Sequence, residues 1–199
     1  MYKVGITGGI GSGKSYVCSI LGELGVAVYD SDSRAKELML SSAELREALM
    51  SRFGCEVFTA EGVNRAYLAE RVFSSEEELR ALNAIVHPAV MADFDRWAEE
   101  QEGEYVVLES AILFEAHLED RVDCVVVVMA PEELRLERAM RRDGASKEQI
   151  ESRMRNQITD EERADRSKYA IVNIDAEELR EDVEQLHRRL SYDAVAQRD

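Results

Sequence analysis

Val4-Gly5-Ile6-Thr7-Gly8-Gly9-Ile10-Gly11-Ser12-Gly13-Lys14-Ser15 decides the fold of this chain. The first four residues form a short run of strand type, the next eight fit G-x-x-x-x-G-K-[ST], and residues 15–24 read as a helix. With this composition the eight-residue pattern arises by accident in about one chain in a thousand. Backbone N–H groups converge on a phosphate only where side chains do not intrude, and glycine allows the dihedrals such a loop needs. The helix that follows turns its positive end toward the same anion. Lys14 can then reach the β and γ oxygens as a point charge, and the Ser15 hydroxyl can ligate Mg²⁺. A dinucleotide fingerprint is absent, because Tyr16 stands three residues after Gly13.

Outward from the loop, residues 26–29 read as a second strand, with Gly25 where the glycine after a helix belongs. Further strands are expected at residues 105–108, 124–129 and 170–172. Strands alternating with helices indicate an α/β fold: a phosphate-loop NTPase with a mostly parallel five-stranded sheet and helices on both faces. Residues 124–129 have the continuous apolar signature of a strand buried on both sides. Ser75 with Glu78, Ser146 with Gln149, and Thr159 with Glu162 read as capping boxes, and Pro131-Glu132-Glu133 marks another helix start. The roughly 75 residues between the second and third strands exceed what a crossover needs. They predict a helical insertion over about residues 33–102, interrupted at Val86-His87-Pro88 because proline removes a helical hydrogen bond. With no repeat and no Pro/Gly/Ser-rich linker, residues 1–199 read as a single domain.

The net charge of −16 opposes general binding to nucleic acid. Residues 132–168 carry ten basic and ten acidic side chains, so that neutral window leaves room for a small anion. The longest apolar run, residues 124–130, falls far short of the ~20 residues of a membrane-spanning helix. Cys18, Cys55 and Cys124 form no C-x-x-C, which argues against a disulfide framework or zinc site and for three reduced, semi-buried thiols. No apolar signal-peptide stretch precedes the first strand, so a cytoplasmic location is expected.

Open parallel sheets bind ligands beyond the carboxyl ends of their strands, which singles out Asp30, Asp32 and Glu109. Asp30 and Asp32 suit a proton acceptor or a Mg²⁺ ligand through water, although aspartates there also form turns. Glu109 follows Tyr105-Val106-Val107-Leu108 as the acid of a Walker B strand would. On the helix opening at Pro131, Arg135, Arg138 and Arg142 share one face and Leu136, Ala139 and Met140 another. The arginines either contact phosphate or pair with Glu132, Glu133 and Glu137. Arg153 and Arg155 extend the basic surface. His87, before a proline, reads more simply as a structural histidine than as a catalyst.

These motifs together resemble the dephospho-CoA kinase family, over nearly the whole chain. The resemblance rests on Thr7 through Ser15, Asp30-Ser31-Asp32 with Arg34-Ala35, Val86-His87-Pro88, Ile112-Leu113-Phe114-Glu115, the R-x-x-x-R-D run at residues 138–143, and residues 153–157. It implies phosphorylation of the ribose 3′-hydroxyl of dephospho-CoA by ATP with Mg²⁺. Asp32, Lys14 and Arg142 would then be catalytic. Gly9, Gly11, Ser12, Gly13, Lys14, Ser15, Tyr16, Arg138 and Asn173 would bind the nucleotide, and Thr7, Asp32, His87 and Glu115 dephospho-CoA. Ser15 and Glu109 would hold the metal. The insertion would take the CoA moiety, and residues 138–168 would form a lid. Three positions depart from the family pattern: Tyr16 for a threonine, Ala111 for a proline, and Ile174-Asp175 where a glycine often follows Asn173.

A nucleoside monophosphate kinase would share the sheet, loop and lid but differ in its acceptor pocket. The absence of N-K-x-D and D-x-x-G argues against a GTPase switch. A helical interaction module would fail to bind Mg·ATP.

Overall fold

The computed structural model describes residues 1–73 and 75–197. Five strands, β1 (Tyr2–Thr7), β2 (Ala27–Asp30), β5 (Tyr105–Glu109), β6 (Cys124–Met129) and β7 (Tyr169–Val172), form a sheet of order β2-β5-β1-β6-β7. Every neighbouring pair in it is parallel. The two remaining strands, β3 (Phe58–Thr59) and β4 (Gly62–Val63), make a small antiparallel hairpin that the helical reading of the insertion did not anticipate. Two compact units result: Met1–Asp30 with Ala98–Asp199, and Ser31–Trp97.

The first unit holds the sheet. Alternate strand residues Val4, Ile6, Tyr105, Val107, Cys124, Val126 and Val128 form one buried cluster with α1 (Lys14–Glu23) and α9 (Ala176–Ala196). The buried residues of α9 are Leu179, Val183, Leu186, Leu190 and Ala194, the three-and-four spacing of a helix with one apolar stripe. Val106, Leu108, Val125 and Val127 are buried as well, which is why these strands read as unbroken apolar runs. At the end of α1, Gly25 takes φ +87°. Its N–H bonds Gly22 O, and that of Val26 bonds Leu21 O, closing a Schellman cap that turns the chain into β2. The helices α6 (Glu132–Asp143), α7 (Lys147–Arg155) and α8 (Asp160–Asp165) complete this unit. Ser146 and Gln149 make a full capping box, while Thr159 accepts from the Glu162 N–H.

The second unit contains α2 (Ser31–Ser41), α3 (Ala43–Phe53), the hairpin, α4 (Arg65–Phe73) and most of α5 (Glu76–Glu99). The expected interruption at Pro88 is absent: α5 runs through it. A proline inside a helix costs about 3 kcal/mol. Val86, Val90, Met91 and Phe94, all buried, supply packing that offsets that cost on either side of the proline. Arg34 pairs with Asp93 at 2.7 Å and ties α2 to α5. The cysteine reading also needs correction: Cys18 and Cys124 are buried but Cys55 is exposed, and all three are free. Among the described residues no helix is long and apolar enough to cross a membrane.

Candidate active site

The phosphate loop leaves β1 at the middle of the sheet and enters α1 at Lys14. Gly13 precedes that helix in the left-handed region, φ +92°, and a Cβ there would lie 2.0 Å from Asn173 Nδ2. Gly11 is as constrained: at φ +77° its Cβ would meet Arg135 O at 2.1 Å. These glycines are required by backbone shape and close approach together. Inside the loop the Ser12 N–H donates to Gly9 O at 3.1 Å. The amides of Lys14 and Ser15 open the helix, where no preceding carbonyl is available to them within it.

Three side chains gather at the carboxyl edge. Ser15 Oγ donates to Glu109 Oε1 at 2.6 Å, bringing the last residue of β5 against the first turn of α1. Lys14 Nζ reaches back to Gly8 O at 2.9 Å, which holds the ammonium over its own loop. A serine hydroxyl and a carboxylate in contact are hard oxygen donors of the kind Mg²⁺ takes. Below them, burial first and the Glu109 charge second push the pKa of the Cys18 thiol up, so it stays protonated.

Asn173 braces the loop from the other side: its Nδ2 donates to Ser12 O at 2.8 Å, and its own carbonyl accepts from Arg138 Nη1 at 3.1 Å. Arg135 is buried on α6, at 7% exposure, together with Ala139. It donates from Nε to Ile10 O and pairs with Asp160. The arginine-bearing face of α6 is therefore not a uniform phosphate-facing stripe. Its three arginines go to three partners: Arg135 to Asp160, Arg138 to Asn173, and Arg142 to Asp143 at 2.7 Å. Hydrogen bonds from Arg142 and then Arg153 hold the Asp143 carboxyl down at about 2. A cavity of about 690 Å³ opens beside Arg135, but Glu132, Glu151, Asp160 and Glu161 outnumber Arg135 and Arg155 in its lining. That balance does not suit a phosphate.

A dephospho-CoA kinase family model matches residues 2–178. The chain belongs to the dephospho-CoA kinase family. A Bacteroides fragilis protein named dephospho-CoA kinase is 45% identical over 172 residues, covering 86% of this chain and 84% of the relative. A Porphyromonas gingivalis protein of the same name is 47% identical over 157 residues, 79% of this chain and 78% of the relative. Among solved structures, one from Thermus thermophilus superposes with a TM-score of 0.83 at 34% identity, covering 96% of this chain and 97% of the other.

Within this dephospho-CoA kinase fold the residues named from sequence are not all neighbours. Gly9, Gly11, Ser12, Gly13, Lys14, Ser15, Glu109, Arg138 and Asn173 converge on the loop. Tyr16 is exposed on α1. Thr7 is completely buried at the end of β1, where its hydroxyl has no hydrogen-bond partner among the described residues. Glu115 accepts from Nη2 of the fully buried Arg163 at 3.0 Å and from the Ile158 N–H at 3.3 Å. Asp30 ends β2 opposite Glu109 in the sheet register. Asp32 lies in the first turn of α2, and His87 on α5, both in the second unit. Burial pushes the pKa of His87 below its usual value. Sequence reasoning missed Asp160 and Arg163 altogether. Nothing in a charged helical stretch marks which arginine will be buried.

Proposed function

We propose that this chain transfers the γ-phosphoryl group of ATP to the ribose 3′-hydroxyl of dephospho-CoA, giving CoA and ADP in the cytoplasm. The observation that carries the reading is the phosphate loop with its Ser15–Glu109 contact, in a chain of the dephospho-CoA kinase family. The amides of the loop and the first turn of α1 bind the β and γ phosphates, and Lys14 exchanges Gly8 O for their oxygens as charge develops. Ser15 and Glu109 would hold Mg²⁺, which when bound neutralises charge across the β and γ phosphates. In the transfer, the 3′-oxygen bonds to the γ-phosphorus while the bond from that phosphorus to the β–γ bridging oxygen breaks. Asp32 takes the hydroxyl proton.

The Ser31–Trp97 unit takes the CoA moiety, with His87 among its contacts. Residues 138–168 act as a lid, within which Arg142 leaves Asp143 for the transferring group. Arg138 and Asn173 border the nucleotide while bracing the loop. Phosphorus NMR of the product tests the regiochemistry. A new monoester on the ribose 3′-oxygen is expected, and a phosphate at any other position would refute the assignment.

A further inference from the structure

Ile10 is the tip of the phosphate loop, and both of its backbone polar groups are taken by side chains from distant segments. Its N–H donates to Gln157 Oε1 at 2.9 Å, and its carbonyl accepts from Arg135 Nε at 3.2 Å. The Gln157 amide is oriented unambiguously, because its Nε2 donates to Ala111 O at 3.4 Å while its oxygen meets a donor. Gln157 thus joins the loop to the segment that follows β5. Arg135 backs the same limb: a Cβ on Gly9 would lie 2.7 Å from its Cζ. Behind it, Asp160 pairs with both Arg135 and Arg163, and Arg163 with Glu115. The Glu115 carboxylate returns to the Ile158 N–H, one residue from Gln157.

From this convergence we infer that Gln157, working with Arg135, is a positioning residue that fixes the phosphate loop in its nucleotide-binding shape by capping Ile10. The limb from Gly9 to Gly11 has only one side chain of its own, so an external grip must hold it. Two glycines would otherwise sample many conformations, and that freedom would have to be lost on binding each nucleotide. The grip comes from the residues just beyond α7, so the segment proposed as the lid and the loop share an anchor. The inference rests on the phosphoryl-transfer reading but concerns nucleotide affinity, which can be measured without an acceptor.

The test compares wild type, Gln157→Met, which keeps the length and loses both polar atoms, and Gln157→Glu, which keeps an acceptor oxygen for Ile10. Mg·ATP and dephospho-CoA affinities are measured calorimetrically at about 0.3 M salt to screen the added charge. Gln157→Met should weaken Mg·ATP binding about tenfold and speed amide exchange at Ile10. It should leave the melting temperature and the Kd for dephospho-CoA close to wild type. Gln157→Glu should stay within about threefold of wild type for Mg·ATP and keep Ile10 protected. Mg·ATP affinity within twofold of wild type in Gln157→Met overturns the inference. So does a Gln157→Glu protein as weak as Gln157→Met, and if the methionine variant does not fold, the glutamate variant decides alone. Should the wild type prefer another phosphoryl acceptor while these affinities behave as expected, the transfer reading fails and the positioning role stands.

Discussion

At the scale of single residues, Gly13 is the tightest point of the site. An added methyl group would combine a left-handed backbone with a 2.0 Å approach to Asn173 Nδ2, and Asn173 is itself committed to Ser12 O. Gly13→Ala should therefore destabilise the chain by about 1–3 kcal/mol and abolish Mg·ATP binding. Urea denaturation and calorimetry check both effects, and wild-type values for both would show that the loop has slack here. This residue was legible in the sequence because the loop motif is local: spacing alone determines that a glycine stands before the lysine. Arg135 was not legible in the same way. Its position on α6 is plain from helical spacing, yet whether it meets phosphate or protein depends on Ile10 and Asp160, 125 and 25 residues away.

At the scale of elements, the central strands β1, β5 and β6 were readable because they are buried on both faces, so the only local signal they need is apolar continuity, whereas the edge strands β2 and β7 are partly exposed. The helix α5 was misread because proline weighs heavily in any local reading, whereas here the buried side chains flanking Pro88 outweigh one missing hydrogen bond. His87, on the same helix, gives a pH test. Its folded pKa lies below that of the unfolded chain because burial disfavours the charged ring. As pH falls, the unfolded state takes up the proton first; the stability present above about pH 6.5 is then lost as pH drops toward the folded value. Between about pH 8 and about pH 5.5 the melting temperature of wild type should fall further than that of His87→Gln. Equal falls would remove His87 as the cause.

The α8 segment gives a second test at this scale. Arg163 is 1% exposed and held by Asp160 and Glu115. Removing one side of a buried ion pair strands the other charge, so Arg163→Leu should cost about 3–5 kcal/mol in urea denaturation. A loss below 1 kcal/mol would mean that water reaches those carboxylates. No sequence pattern pointed to this pair, because Glu115 and Arg163 are 48 residues apart and neither lies in a motif that requires the other.

At the scale of the whole molecule, the alternation of strands and helices was enough for the sheet, and the length between the second and third strands was enough for an inserted stretch of helices. The small hairpin β3–β4 escaped notice because its strands are two residues each, too short to show a period of two. The loop, Lys14, Ser15 and Glu109 belong to the first unit, and Asp32 and His87 to the second. The central claim is about the acceptor. The most direct measurement is ADP release from Mg·ATP, coupled to a spectroscopic readout, with dephospho-CoA offered against AMP, dTMP, shikimate and water. The account predicts rapid ADP release with dephospho-CoA and only background with the others; equal release with and without dephospho-CoA, or faster release with another acceptor, would contradict it.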